Sequence, residues 1–277
     1  MPFDIVLPSA LFFLTAAAVL LYPKLETKVK SILEERKFSI RHVVVLVAVM
    51  GIAVTVFAVI SNDAIRILFL ISYSLLLFLS AYIVISKWYL GLLLPTTFLI
   101  LYFALWNLPS TDISVLIFMD IFAAIFVIFA SVFMGALFGW KTVAVFAGLI
   151  TVMDVILVLV TGFMVGSSLK MQGLNLPVMI FVPTFPLQSL GIHLGLGDIL
   201  LSSLLTIQTA RKYGKKFGYI SIVFISIAFL ISEALMFYCG IEAMPATVFI
   251  DCGWLAALGA RYLCNLLTTK QTAGEEK

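Results

Sequence analysis

Polar residues punctuate this chain at long intervals; they do not alternate with apolar ones. Between the breaks lie apolar runs close to the roughly 20 residues that a helix needs to cross a bilayer. Nine such runs stand out, at about 3–22, 43–60, 64–86, 88–106, 113–138, 142–165, 187–209, 219–240 and 244–264. The breaks have turn chemistry: Pro23-Lys24, Ser61-Asn62-Asp63, Ser86-Lys87, Asn107-Leu108-Pro109, Gly139-Trp140-Lys141, and the stretch from Arg211 to Gly218. The turns at Ile60–Ala64 and Ser86–Trp88 are short enough to make the flanking helices antiparallel neighbours. No internal repeat is visible, so residues 1–277 read as a single polytopic domain. Its first six helices cover about 3–165, a loop about 166–186, and three more helices about 187–264. Inside that loop, residues 176–183 are rich in Val, Ile and Phe and bounded by prolines, which predicts a short β-strand before the seventh span.

The composition agrees with membrane residence. The chain is 63% hydrophobic and 11% charged, whereas soluble domains carry about 25% charged residues. An all-α membrane protein is predicted, because helices satisfy their own backbone groups inside lipid. The net charge of +3 is small and the basic residues are not interleaved with aromatics, so no nucleic-acid partner is expected. Topology explains the basic residues better. Of the 17, fifteen fall on one side under nine spans: Lys24, Lys28, Lys30, Arg36, Lys37, Arg41, Lys87, Lys141, Arg211, Lys212, Lys215, Lys216, Arg261, Lys270 and Lys277. Arg66 and Lys170 fall on the other. This bias puts the amino terminus outside and the carboxyl terminus in the cytoplasm. Asp4 stands where a signal peptide would be basic, and no small-residue cleavage pattern precedes Tyr22 and Pro23, so the first run is expected to be a retained span. Cys239, Cys252 and Cys264 lie in or beside apolar segments without C-x-x-C spacing, and His42 and His193 are far apart. No metal and no cofactor is expected.

Two acids interrupt the runs near their middles. Asp154 lies about twelve residues into the sixth run, roughly 18 Å from the cytoplasmic side of a core roughly 30 Å thick. Asp198 lies about eleven residues into the seventh, roughly 17 Å from the opposite side. Antiparallel helices thus bring both acids to nearly one plane. A central Asp costs roughly 2.5–3.5 kcal/mol on insertion scales, and such residues usually face a bundle interior or a water-filled cavity. Asp198 ends the string Gly195-Leu196-Gly197-Asp198, whose glycines remove bulk beside it. Two carboxylates in a low-dielectric site cannot both ionise at low cost, so they share one proton. One then takes a proton from water while the other polarises a carbonyl. The plainer alternative is that each acid hydrogen-bonds to hydroxyls or backbone and ties helices together.

The string Gly195-Leu196-Gly197-Asp198 resembles the GxGD motif of presenilins and signal peptide peptidases, the intramembrane aspartyl proteases. The similarity extends over most of the chain: nine spans, one Asp in the sixth, GxGD in the seventh and a proline motif opening the ninth. That last motif is Pro-Ala-Leu in the family and reads Pro245-Ala246-Thr247 here. The segment Leu176 to Pro183 also looks like the apolar strand that signal peptide peptidases have before their seventh span. Met153-Asp154 stands where the family usually has Tyr-Asp. The resemblance implies a nine-helix bundle of presenilin type and an aspartic endopeptidase with Asp154 and Asp198 as its catalytic pair. The amino-terminus-outside arrangement is that of signal peptide peptidases, and no long insertion separates spans six and seven. A compact member acting on type II transmembrane helices or signal-peptide remnants is therefore implied, with no obligate partner.

A substrate helix must be unwound before its peptide bonds are accessible. Strand addition to Pro177, Val178, Met179, Ile180, Phe181 and Val182 would hold it extended. Pro245 has no amide hydrogen, so carbonyls before it would be free to accept substrate bonds, with Ala246 and Thr247 beside them. Its plainer role is helix initiation. Asp120, Glu233 and Asp251 also lie inside runs, where pairing with hydroxyls is the simplest reading for Asp120 and Asp251. Gly135-x-x-x-Gly139 and Gly162-x-x-x-Gly166 fit close helix packing. Besides a scaffold or chaperone without catalysis, two other functions remain open. Asp154, Asp198, Glu233 and Asp251 would suit the relay of a proton- or ion-coupled transporter, although no inverted repeat is visible. Prepilin peptidases also carry GxGD, with fewer spans and acids near the cytoplasmic face.

Overall fold

The computed structural model describes residues 5–32, 37–183, 191–240 and 244–275. Helices α1 (Val6–Ile32), α2 (Ile40–Val59) and α3 (Asn62–Ile85) are followed by two short ones, α4 (Trp88–Gly91) and α5 (Leu93–Ala104). Then come α6 (Ile113–Leu137) and α7 (Trp140–Val155), which continues as a π-helical segment at Ile156–Val160, and α8 (Phe163–Gly173). A hairpin of β1 (Met179–Pro183) and β2 (Gly191–Gly195) leads into α9 (Leu196–Tyr213), α10 (Lys215–Cys239) and α11 (Ala246–Glu275).

Among the described residues, seven helices are long and apolar enough to cross a membrane: α1, α2, α3, α6, α7 with its π segment, α10 and α11. The molecule is a multi-pass α-helical membrane protein. Its outer helices show why. Of α2, only Val43 and Val47 are buried, while Val45, Ile52 and Val59 point outward. Water would penalise such a face, but lipid does not.

The expected boundaries shift where backbone chemistry overrides hydropathy. The fourth run, 88–106, is two helices, because Pro95 has no amide to donate to Gly91. The sixth run stays helical through Val160 and breaks at Gly162, whose φ of +67° is left-handed. Residues 166–173, expected to be loop, continue α8. The seventh run divides most sharply: residues 191–195 are strand and the helix starts only at Leu196. Positions 187–190 of that run lie outside the described residues, as do residues 3 and 4 of the first run, Arg36 and Lys277.

Helix α9 is the axis of the bundle, packed among α1, α6, α7, α10 and α11. It is buried from Leu201 to Thr209 without interruption. Protein on all sides tolerates what lipid would not, and Ser202, Ser203, Thr206, Gln208 and Thr209 all lie in that stretch. Gln208 donates through Nε2 to the carbonyls of Gly135 and Phe138, each at 2.9 Å, at the end of α6. Gly135 lets the Tyr22 ring come close, since a Cβ there would lie 3.0 Å from it. The expected Gly162-x-x-x-Gly166 contact is not formed among the described residues: no neighbouring element comes within 4 Å of where a Cβ on either glycine would be.

Candidate active site

Asp154 lies in the last turn of α7 and is buried, whereas Asp198 lies in the first turn of α9 and is half-buried. Both line one cavity of about 470 Å³ and lie within Coulombic range of each other. The two acids singled out in the sequence thus face the same cavity. Asp198 comes to it by another route, since a strand rather than a helix leads to it.

The two carboxyls are held differently. Thr247 donates its hydroxyl to Asp154 Oδ2 at 2.7 Å, and its backbone N–H bonds to the same carboxyl. Thr247 sits in the first turn of α11, where amides have no partner in their own helix. Asp154 therefore caps α11 from a neighbouring helix and faces the positive end of its dipole. The Asp198 carboxyl accepts no hydrogen bond among the described residues. Gly195 makes room for it, because a Cβ there would lie 3.0 Å from Asp198 Oδ2. Gly197 does not share that role, having nothing within 4 Å of a Cβ position. Leu196 opens α9 and packs against the core around Ile199.

The hairpin forms part of the same wall. β1 and β2 pair antiparallel with Met179 opposite Gly195, Phe181 opposite His193 and Pro183 opposite Gly191. The Phe181 amide donates to Asp120 Oδ1 on α6 at 2.7 Å, so it points away from β2. Amides alternate along a strand, which puts the ladder bonds at Ile180 with Leu194 and at Val182 with Ile192. The backbone groups of His193 then face the far edge of β2. β1, the strand expected to receive a substrate, has β2 on one side and Asp120 of α6 on the other. Pro177 and Val178 precede it in a tight turn, where the Val178 amide donates to the Leu176 carbonyl at 2.8 Å.

Of the residues singled out in the sequence, Asp154, Asp198, Gly195, Met179, Glu233 and Ala246 line the cavity. Gly197, Pro177, Val178, Ile180, Phe181 and Val182 do not. The Pro245 carbonyl accepts the Val248 amide at 3.3 Å. Most of the other lining residues were not legible beforehand. Met164, Met236 and Met244, together with Met179, make the wall adaptable. Gln172 of α8 and His193 of β2 meet at 2.7 Å through their Nε2 atoms. Glu233, buried in α10, is a third acid in the lining, and Ser232 beside it turns its hydroxyl to Met244 Sδ at 3.7 Å. Asp251 takes the hydroxyl of Thr151 at 2.8 Å, as a hydroxyl-paired acid should, whereas Asp120 pairs with a backbone amide. Among the described residues, no group of three or more His, Cys, Asp or Glu has the arrangement to hold a metal ion. No protein-family model matches the chain, and no curated protein matches its sequence.

Proposed function

We propose that the chain is an intramembrane aspartic endopeptidase of the presenilin and signal-peptide-peptidase type, hydrolysing peptide bonds within transmembrane helices or signal-peptide remnants. The observation that carries this reading is that Asp154 and Asp198 face one cavity with unequal hydrogen bonding. The donors on Asp154 favour its ionised form. Asp198, without donors among the described residues, holds the shared proton. Asp154 takes a proton from water as the water oxygen bonds to the substrate carbonyl carbon. Asp198 gives its proton to the carbonyl oxygen, forming a tetrahedral diol. Collapse of that diol transfers a proton to the leaving nitrogen, breaks the C–N bond and leaves one proton on the pair. No metal, cofactor or nucleophilic side chain is needed.

The substrate adds as a strand to the open edge of β2, through the backbone of His193 beside Asp198. This assignment replaces β1, whose outward amide at Phe181 is already taken. The amino terminus lies outside and the carboxyl terminus in the cytoplasm, from the sorting of Lys and Arg. On that topology, α9 and the α4–α5 pair complete nine passes with the seven long helices.

The test is cleavage of a model signal-peptide substrate by the purified protein in detergent, against Asp154→Asn and Asp198→Asn. Cleavage by the parent and its loss in both variants, with unchanged melting, is the expected result. Activity surviving either substitution overturns the assignment. Proton flux without proteolysis in the parent points to a transporter instead.

A further inference from the structure

One turn of α11, from Asp251 to Trp254, is fixed to three different helices. Asp251 Oδ2 accepts the Thr151 hydroxyl of α7 at 2.8 Å. Gly253 presses on α10 so closely that a Cβ would lie 2.7 Å from Ile225 Cα and 2.8 Å from the Phe224 carbonyl oxygen. Trp254 donates its indole N–H to Thr209 Oγ1 of α9 at 2.9 Å, in a buried contact. Thr247 is one turn earlier on the same helix, and Thr151 is one turn before Asp154 on α7. The pairs 151 with 251 and 154 with 247 therefore form two rungs between antiparallel helices, on faces set by the i, i+3 and i, i+4 spacings. In each rung a threonine donates to an aspartate, and the helix supplying the donor changes between rungs.

Stability alone does not account for Asp251. Its second oxygen, Oδ1, is buried with no hydrogen-bond partner among the described residues. An acid left half-satisfied inside an apolar bundle is a cost that leucine would avoid. What Asp251 supplies is register: the rung to Thr151 sets the depth at which α11 presents Thr247 to Asp154.

We propose that Asp251 and Thr151 are positioning residues for the Asp154–Thr247 contact, and hence, on the proposed protease function, for the ionised member of the pair. The experiment is a double-mutant cycle between the rungs, Asp251→Leu with Thr247→Val, read in kcat, KM and melting temperature. Asp251→Leu lowers kcat substantially, toward the roughly 100-fold that an ångström of misplacement costs, with KM nearly unchanged. Asp251→Asn and Thr151→Ser restore kcat, because each keeps its half of the hydrogen bond. In the Asp251→Leu background, Thr247→Val has little further effect on either readout. Additive effects on both readouts, or full kcat in Asp251→Leu, overturn the proposal. If the parent cleaves nothing, the protease reading fails separately. The melting cycle then decides: non-additive shifts uphold the register role, and additive ones end it.

Discussion

Replacing Gly195 by alanine separates the geometry of Asp198 from the stability of the fold. Gly195 has φ −66° and ψ 136°, a conformation open to any L-residue, so alanine introduces no backbone strain. Through the unfolded state the change stabilises by about 0.4–1 kcal/mol. The conflict is local: the new Cβ lies 3.0 Å from Asp198 Oδ2 and 3.7 Å from its Cγ. Against a usual contact of about 3.5 Å, the carboxyl must move roughly half an ångström. As the end of a flexible side chain it does so by rotation, at about 0.5–1.5 kcal/mol if it leaves its rotamer. Catalysis is far more sensitive than folding to such a shift. If a full ångström costs about 100-fold, half of one costs on the order of tenfold in kcat.

The assay pairs substrate cleavage by the purified protein in detergent with its thermal unfolding. Gly195→Ala should lose on the order of tenfold in kcat while melting at or above the parent's temperature. Gly197→Ala is the control: with nothing within 4 Å of its Cβ, it should keep its fold and most of its activity. Undiminished cleavage by Gly195→Ala would show that the Asp198 carboxyl is not placed by the space at residue 195, and the reasoning would fall.

Thr247→Val removes one of the two donors on Asp154; a hydrogen bond to a charged group contributes about 1.5–3 kcal/mol, so kcat should drop roughly 10- to 150-fold and return in Thr247→Ser. Asp120→Leu should speed amide hydrogen exchange at Phe181, while Asp120→Asn, which keeps an acceptor, should leave it slow; equal exchange in both would show that this bond does not hold β1. Proline at Ile180 or Val182 deletes a ladder amide of the hairpin and should abolish cleavage with the bundle still melting cooperatively, so an active variant would remove the hairpin from the mechanism. Gly253→Ala pushes a methyl into backbone on α10 and should destabilise by about 1–3 kcal/mol, seen as a fall in melting temperature.

Hydropathy alone locates the helices that touch lipid. The runs behind α2, α3, α6 and α10 emerge as long helices near their expected limits, because each must bury its own backbone bonds and shows an apolar face outward, whereas the first run passes its expected break at Pro23-Lys24 and stays helical to Ile32. The signal weakens where protein replaces lipid. α9 is enclosed by five other helices, and its polar residues are hidden by neighbours that no scan of single positions anticipates. The apolar character of residues 191–195 is shared by strand and helix, and only the pairing of β1 with β2 decides between them. Asp154 and Asp198 were legible because a lone acid in an apolar run is conspicuous. Gln172, His193 and the rung from Thr151 to Asp251 were not, because each acquires meaning from a partner distant in sequence.

The late start of α9 has a chemical consequence that a continuous seventh helix would lack. An anion at bilayer depth needs compensation, and neither carboxyl has Lys or Arg in the cavity lining. Both instead meet helix beginnings. Asp198 is in the first turn of α9, and Asp154 takes an amide and a hydroxyl from the first turn of α11. The positive ends of two helix dipoles thus converge on one cavity, where backbone amides lack intrahelical partners. Had the seventh run been helical from 187, the beginning of its helix would lie over a full turn away and Asp198 would face a neutral helix interior. The hairpin therefore does more than present an edge. By keeping the chain extended to Gly195, it delivers a helix start to the depth of the acids, as irregular backbone inside a membrane is tolerated only against protein or a water-filled cavity. On the proposed protease function, this arrangement would stabilise one negative charge shared by the two carboxyls without a fixed cation, which would otherwise hold both of them ionised.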